Sequence, residues 1–201
     1  PILASGEQRA WPAPRHGSDY DCRVTAARRP VRRWLLVLGI PLLAWIALVS
    51  WAFASPVASS PDDDFHLPAI WCGMGEREGL CERVDDTPAR SVPVGLLAAP
   101  CYAFHPDLDA SCWDPSVAGM AVAARANADG LYPPVFYATM SVFASADVQT
   151  SVLLIRVVNA TIAVTLLTAV FWALPRALRT ALVVSVIGTS VPLGLFLLGS
   201  T

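Results

Sequence analysis

The sequence of 201 residues contains no lysine, no internal repeat and no glycine-rich loop of the kind that binds nucleotides. Outside the amino-terminal tail it has no basic patch interleaved with aromatic residues, so we expect no nucleic-acid partner. Arginine alone carries the basic charge, and with abundant alanine this composition is typical of GC-rich bacterial genomes. What the chain does have is apolar sequence, since 55% of its residues are hydrophobic.

Charged residues are almost absent from three long apolar blocks. Residues 34–53 and 181–198 contain no charge, and residues 148–174 contain only Arg156. A helix of about twenty residues rises about 1.5 Å per residue and so crosses the hydrocarbon core of a bilayer. We therefore predict an all-α transmembrane protein with three membrane-spanning helices, short interfacial helices and an irregular loop.

Charge is distributed unevenly around these blocks. Residues 1–33 carry seven arginines and three acidic residues, whereas residues 54–147 carry four arginines and thirteen acidic residues. Because positively charged segments tend to stay in the cytoplasm, the tail 1–33 and the turn 175–180 are predicted to be cytoplasmic. We expect a disordered tail, an extracytoplasmic loop at 54–147, and a location in the bacterial cytoplasmic membrane with the amino terminus inside.

A secretory signal over residues 28–54 is an alternative reading, because residues 52–54 have the small-x-small pattern of a cleavage site. Its apolar stretch is longer than the usual 7 to 15 residues and begins far into the chain, so an uncleaved first span is favoured. The sequence does not begin with methionine and stops just after the third block. We therefore expect it to be part of a longer multi-spanning protein.

Four of the five cysteines lie in the predicted outer loop, at Cys72, Cys81, Cys101 and Cys112, whereas Cys22 lies in the tail. In an oxidising compartment four cysteines predict two disulfides, in one of three pairings. Four buried thiols are the alternative.

The predicted loop contains several signals of local structure. Residues 60–63 have the pattern of a helix start, and Pro68 should end or kink that helix within two turns. Residues 76–130 have no long periodic run and should be irregular, although residues 117–126 could form a helix. A second helix at 135–144, opened by a proline, is too short to cross a bilayer and should lie in the interface.

An acidic cluster just beyond the first span is the strongest candidate for a catalytic site. Asp62 and Asp63 precede His66 by four and three residues, so on a helix all three would share one face. Carboxylates there could act as a general base or hold a divalent cation. Alternatively, Asp63 completes a capping box and its neighbours only favour the positive end of the helix.

Two further signals are weaker. The sequence Tyr132, Pro133, Pro134 is either a functional motif or a stiff connector to the interfacial helix. Arg156, near the predicted outer boundary of the second span, could bind a phosphate through its planar fork or extend towards lipid headgroups. Thr161, Thr165 and Thr168 recur at helical spacing, and we expect them to join helices together rather than to bind a ligand.

The order of these features resembles the amino-terminal part of the bacterial membrane proteins grouped as domain of unknown function 2142. The Asp-Glu-x-x-His pattern of that family matches residues 62–66, with Asp63 in place of glutamate. That family is in turn similar to the GT-C class of polytopic glycosyltransferases, in which an acidic motif and a Pro-Pro step flank the active site. The resemblance covers residues 34–174, and the cysteines are not part of it.

The resemblance implies transfer of a sugar from a polyprenyl-phosphate carrier to an acceptor outside the cytoplasmic membrane. In that scheme Asp62 or Asp63 accepts the proton of the attacking hydroxyl, and His66 orients the pair. Arg156, or a divalent cation held by Asp62 and Asp63, steadies the leaving phosphate. The alternative is a non-catalytic membrane scaffold or binding protein in cell-envelope polysaccharide assembly.

Overall fold

The computed structural model describes residues 19–60, 62–97, 99–102, 105, 107–127 and 130–189. The helices are α1 (Asp19–Ala54), α2 (Asp63–Trp71), α3 (Ala99–Tyr102), α4 (Pro134–Met140), α5 (Val148–Ala173) and α6 (Arg176–Thr189). The strands are β1 (Glu82–Arg83), β2 (Arg90–Pro93) and β3 (Met120–Ala123). Turns of 3₁₀ helix lie at Val94–Leu97, Ala110–Cys112 and Ser141–Phe143. The chain divides into two compact units between Ile40 and Pro41.

Two of the described helices are long and apolar enough to cross a membrane, at Val37–Ala54 in α1 and Val148–Ala173 in α5. Both carry large apolar side chains that face outward, as lipid-facing helices do; these include Leu42, Leu43, Ile46, Phe53, Leu154, Leu166 and Val170. The third predicted span is not found as a full crossing. Its first part lies in α6, which has fourteen residues, and residues 190–198 lie outside the described part.

Two predicted boundaries were wrong. Helix α1 begins at Asp19, so residues 19–33 are helical where disorder was predicted, and residues 1–18 lie outside the described part. The predicted turn 175–180 is much shorter, because α6 already begins at Arg176. Arg179 in α6 donates hydrogen bonds to the carbonyls of Leu174 and Trp172, at 3.1 and 3.2 Å. It thereby satisfies carbonyls that the end of α5 leaves without helical partners.

Helices α1 and α5 are joined by a hydrogen bond between side chains. The indole Nε1 of Trp45 donates to Oγ1 of Thr161 over 2.9 Å, and that hydroxyl donates in turn to the carbonyl of Val157 over 2.7 Å. The role in joining helices that was predicted for Thr161 is therefore confirmed.

The segment between the two spans, residues 55–147, contains a small antiparallel sheet in the order β1-β2-β3. Its register pairs Arg83 with Arg90, and Arg90 with Ala123. The predictions of an irregular region at 76–130 and of a helix at 117–126 were therefore wrong. Alanine favours a helix locally, but pairing with β2 overrides that small preference. The described part of the chain is mostly helical, with one small sheet.

Both predicted disulfides are present in the inter-span segment, and each joins cysteines that are neighbours in sequence. Cys72 pairs with Cys81, and Cys101 with Cys112. The first bond ties the end of α2 to the start of β1, and the second ties α3 to the following 3₁₀ turn. Each disulfide therefore constrains only a short, local segment of the chain.

One hydrophobic core joins α2, the sheet, α4 and the first turns of α5. Its buried members include Leu67, Ile70, Trp71, Val92, Leu96, Met140, Val152 and Ile155. Trp71 also donates from Nε1 to the carbonyl of Ser145 over 3.0 Å.

Pro134 opens α4 as predicted, and α2 ends at Trp71 with Pro68 inside it. The interfacial position of α4 stays a prediction.

The loop after α2 approaches the backbone of α4 so closely that Gly73 has no room for a side chain. A Cβ atom there would lie 2.5 Å from the carbonyl carbon and oxygen of Tyr137, both backbone atoms that cannot move alone. We predict that Gly73→Ala lowers the free energy of unfolding by about 1–3 kcal/mol, as overpacking does. Thermal unfolding of the purified protein, followed by circular dichroism, measures this.

Gly188→Ala in α6 is the matched control, because a Cβ atom there meets nothing within 4 Å. Its unfolding temperature should be unchanged or slightly raised, since alanine is the better helix former. Equal unfolding temperatures for Gly73→Ala and the wild type would contradict the close approach.

Candidate functional site

The predicted acidic cluster splits into a buried carboxylate and two exposed ones. Asp62 has a left-handed backbone (φ 61°) and precedes the helix, which begins at Asp63. The side chain of Asp62 is 62% exposed, whereas that of Asp63 is 0% exposed. The prediction that Asp62, Asp63 and His66 share one helix face was therefore wrong, because Asp62 is not part of the helix.

Asp63 forms a buried ion pair with Arg156 of α5. Its Oδ2 atom lies 3.7 Å from Nη2 of Arg156, and Oδ2 also accepts a hydrogen bond from the backbone N–H of Ser60 over 3.0 Å. Because α2 begins at Asp63, Ser60 is not its cap, and the capping box considered above does not form. Asp63 instead holds the turn before α2 and neutralises a buried cation.

Arg156 is 1% exposed and binds the end of α1. Its Nη1 atom donates to the carbonyls of Ser55 and Ala52 at 2.7 and 3.4 Å, and Nη2 donates to that of Pro56 over 3.0 Å. Among the described residues its Nε atom has no hydrogen-bond partner. A phosphate could reach this guanidinium only by displacing these carbonyls. We call Arg156, Asp63 and the bonded carbonyls the arginine clamp.

Tyr102 of α3 lies beside the arginine clamp. Its hydroxyl donates to the carbonyl of Val57 over 2.5 Å. Burial raises the pKa of Tyr102 from 10.0 to about 12, and the negative charge of Asp63 adds to this effect, which Arg156 partly offsets. Sequence reasoning gave no signal for this tyrosine.

The exposed carboxylates meet a cation that sequence reasoning missed. Arg125, two residues after β3, donates from Nη1 to Oδ2 of Asp64 over 2.7 Å and from Nη2 to Oδ1 of Asp62 over 3.1 Å. These hydrogen bonds raise the pKa of Arg125. Its guanidinium carbon also lies 6.0 Å from the centre of the Phe65 ring. We call Asp62, Asp64 and Arg125 the exposed acid–arginine group.

An aromatic cluster adjoins this group and includes part of the predicted Tyr-Pro-Pro motif. His66 Nδ1 lies 2.9 Å from the hydroxyl of Tyr137, and the His66 ring centre lies 5.6 Å from that of Tyr132. The Phe65 and Tyr132 rings are 5.5 Å apart. Burial raises the pKa of Tyr137, with a smaller contribution from Tyr132. The fold therefore brings His66 and Tyr132 together, although 66 residues separate them.

The backbone around the Tyr-Pro-Pro motif is held by Asn127. Its side-chain oxygen accepts from the N–H of Tyr132, and its side-chain nitrogen donates to the carbonyl of Tyr132, both at 3.0 Å. Pro133 then takes the cap position of α4, and Pro134 its first helical position. The prolines act on the backbone, whereas Tyr132 carries the ring that reaches His66.

The part of the chain that the structure describes contains no complete set of metal ligands. Within it, no group of three or more His, Cys, Asp or Glu side chains is placed to hold a metal ion. Asp62 and Asp63, the predicted ligands of a divalent cation, differ completely in exposure and pair with different arginines. They do not form one ligand pair in this geometry.

A family profile, described as "Predicted membrane protein (DUF2142)", matches residues 45–201. The chain belongs to the DUF2142 family. The match includes the arginine clamp, the exposed acid–arginine group, the aromatic cluster and both disulfides of this DUF2142 protein. It confirms the resemblance to this family. No curated protein and no solved structure gives a significant match.

Breaking the arginine clamp from one side should destabilise this DUF2142 protein strongly. Arg156→Met or Asp63→Asn removes one member of a buried ion pair, for which the typical loss is about 3–5 kcal/mol. The double variant should lose less than the sum of the two, because neither charge is then left without its partner. Denaturant unfolding of the purified protein measures all three.

Arg125→Met serves as the control, because it removes an arginine from two exposed ion pairs worth about 0–1 kcal/mol each. If Arg156→Met were no more destabilising than Arg125→Met, the arginine clamp would not have the structural role described.

Alkaline pH should weaken the fold through Tyr102. Because its folded-state pKa of about 12 exceeds the ordinary 10.0, its contribution is fully present below pH 10 and is lost as pH rises through 12. The difference in ultraviolet absorbance between wild type and Tyr102→Phe should show one phenolate forming near pH 12. A midpoint near pH 10 would contradict the burial of this hydroxyl.

Proposed function

We propose that this DUF2142 protein transfers a sugar from a polyprenyl-phosphate carrier to an acceptor on the extracytoplasmic side of a bacterial cytoplasmic membrane. The observation that carries the proposal is the exposed acid–arginine group. Two carboxylates, 62% and 39% exposed, follow the end of α1 by eight and ten residues, and both form ion pairs with Arg125. A reacting hydroxyl and a phosphate can both reach such a group from outside the bilayer.

In the proposed reaction the acceptor hydroxyl oxygen attacks the anomeric carbon of the donor sugar. The bond from that carbon to the phosphate oxygen breaks, and the polyprenyl phosphate leaves with the bonding electrons. Asp62, the more exposed carboxylate, accepts the hydroxyl proton as general base. Nη2 of Arg125 lies 3.1 Å from Oδ1 of Asp62, and this guanidinium supplies the positive charge that stabilises the leaving phosphate.

The remaining predicted residues take supporting roles in this scheme. Asp63 and Arg156 are positioning residues, since they fix the backbone next to Asp62 without meeting solvent themselves. His66 and Tyr132 form the aromatic side of the site, and aromatic rings offer the flat apolar surface on which the C–H face of a sugar packs. Arg125 thus replaces Arg156 in the proposed contact with phosphate.

A second candidate function is a non-catalytic scaffold in envelope polysaccharide assembly. It is favoured by the fact that Arg125 already forms ion pairs with both exposed carboxylates. In that case the exposed acid–arginine group fastens the segment after β3 to the start of α2.

The experiment compares Asp62→Asn, Asp64→Asn and the double variant in a strain that lacks the native gene. If Asp62 is the general base, Asp62→Asn should lower the rate of envelope-glycan formation about 10²- to 10⁴-fold, the usual contribution of such a group. The glycan is measured by sugar analysis of isolated envelopes, and membrane insertion by immunoblot of membrane fractions.

Asp86→Asn is the matched control, because Asp86 is an exposed aspartate in the turn between β1 and β2 and should leave the glycan unchanged. Wild-type glycan in the double variant, at normal membrane levels, would remove the catalytic assignment and favour the scaffold.

A further inference from the structure

An uncharged, outward-facing surface lies on α4 and the 3₁₀ turn that follows it. Residues 130–146 contain no charged residue, and all four arginines and all thirteen acidic residues of residues 54–147 lie outside this run. Large apolar side chains are nevertheless exposed there, since Val135 is 74% exposed and Val142 is 70% exposed. Contiguous exposed apolar surface marks a site where a protein or a membrane binds. The apolar patch, as we call it, consists of Leu131, Val135, Phe136 and Val142.

Helix α4 is apolar on two opposite faces. Tyr137 and Met140 belong to the hydrophobic core, whereas Val135 and Thr139, four residues apart, face outward. The hydroxyl of Thr139 donates to the carbonyl of Val135 over 2.7 Å, so this outward polar group is satisfied within its own helix. A hydroxyl that faces lipid needs such an internal partner, because lipid offers it none. The outward face is therefore compatible with contact to lipid.

The level of the bilayer surface follows from the first turns of α5. Gln149 and Thr150 are exposed polar residues, and Leu154 is the first large apolar side chain of α5 that faces outward. Ser151 precedes Leu154 by three residues, which is about 4.5 Å along a helix. Ser145 is held at the height of Ser151, because their Oγ atoms lie 2.8 Å apart.

The end of the apolar patch consequently lies at the depth of the lipid headgroups. Each headgroup layer is about 5–7 Å thick, which exceeds the rise from Leu154 to Ser151. The 3₁₀ turn Ser141–Phe143 ends two residues before Ser145 and packs against α5. Val142, in the middle of this turn, is thus near the height at which α5 enters lipid.

The bilayer is the occupant that these observations favour. The chain runs from Val142 into the spanning helix α5 within six residues, so the apolar patch continues towards a surface that lipid already covers. A partner protein would need a second apolar surface to match, whereas the bilayer is already in contact with α1 and α5.

We infer that the apolar patch inserts into the leaflet at which α1 ends and α5 begins, with α4 lying along the membrane surface. Its side chains then enter the boundary between headgroups and acyl chains, as those of interfacial helices do. The ring of Tyr132, between Leu131 and α4, is held at the same depth together with the aromatic cluster. The inference does not depend on sugar transfer, and it holds equally for a scaffold.

The test is electron paramagnetic resonance of nitroxide labels on the full chain in nanodiscs of phosphatidylethanolamine and phosphatidylglycerol. Cys22→Ser removes the one cysteine outside the two disulfides. Val135→Cys and Val142→Cys then each provide a single labelling position in the apolar patch. Accessibility is measured to oxygen, which concentrates in lipid, and to a nickel chelate, which stays in water. If a label at Val142 disturbs the 3₁₀ turn, Thr139→Cys gives another position on the same face.

Two matched controls define the scale. Val117→Cys labels another exposed valine of the inter-span segment, 53% exposed and outside the apolar patch, three residues after Asp114. Leu166→Cys labels an outward-facing position within the second span.

The expected ratio of oxygen to nickel accessibility at Val135 and Val142 is at least about threefold above that at Val117 and below that at Leu166, as a position in the interface requires. The Val117 value at either position would overturn the inference, because the patch would then face water. Shielding from both reagents with an immobilised spectrum would also overturn it, because a second copy of the chain would then cover the patch.

Discussion

The arginine clamp is the interaction on which the rest of the structure depends. A guanidinium that is 1% exposed must find its hydrogen-bond acceptors inside the protein, and Arg156 finds them at the end of α1 and in Asp63. This requirement fixes the end of the first span against the second and brings the start of α2 to the same place. If α5 moved away from α1, both a charge and several carbonyls would lose their partners.

The exposed acid–arginine group follows from this constraint. Asp63 points inward, and its neighbour Asp62 adopts a left-handed conformation (φ 61°) that costs an ordinary residue of order 1 kcal/mol. Such a conformation persists where the surroundings fix both sides of it, and here Asp63 is held by Arg156 and Asp62 by Arg125. The two arginines thus separate neighbouring carboxylates into one that stabilises the fold and one that faces solvent.

Sequence patterns predicted those features that depend on local rules. The two long helices were predicted because a bilayer demands an unbroken apolar run, and the start of α4 was predicted from Pro134. Strand β3 was not, because four residues give too short an alternation and its partner β2 lies about thirty residues away. The contact of Arg125 with Asp62 had no sequence signal for the same reason. Charge spacing drew attention to Arg156, but only the fold shows that its guanidinium is buried.

The place of Arg156 along α5 explains how a membrane helix can carry this charge. It lies about two turns after Val148, the first residue of the helix, and therefore near one end of the apolar stretch. A charge at the centre of a bilayer is costly, whereas one near the end can pair with groups at the membrane surface.

An arginine suits this position because its planar fork donates in several fixed directions, to the carbonyls ending α1 and to Asp63 at once. A lysine has a single nitrogen and could not reach both the end of α1 and the start of α2 with the same geometry. The charge of Arg156, which is unfavourable in lipid, therefore holds the two spans and the start of α2 together beside the candidate site.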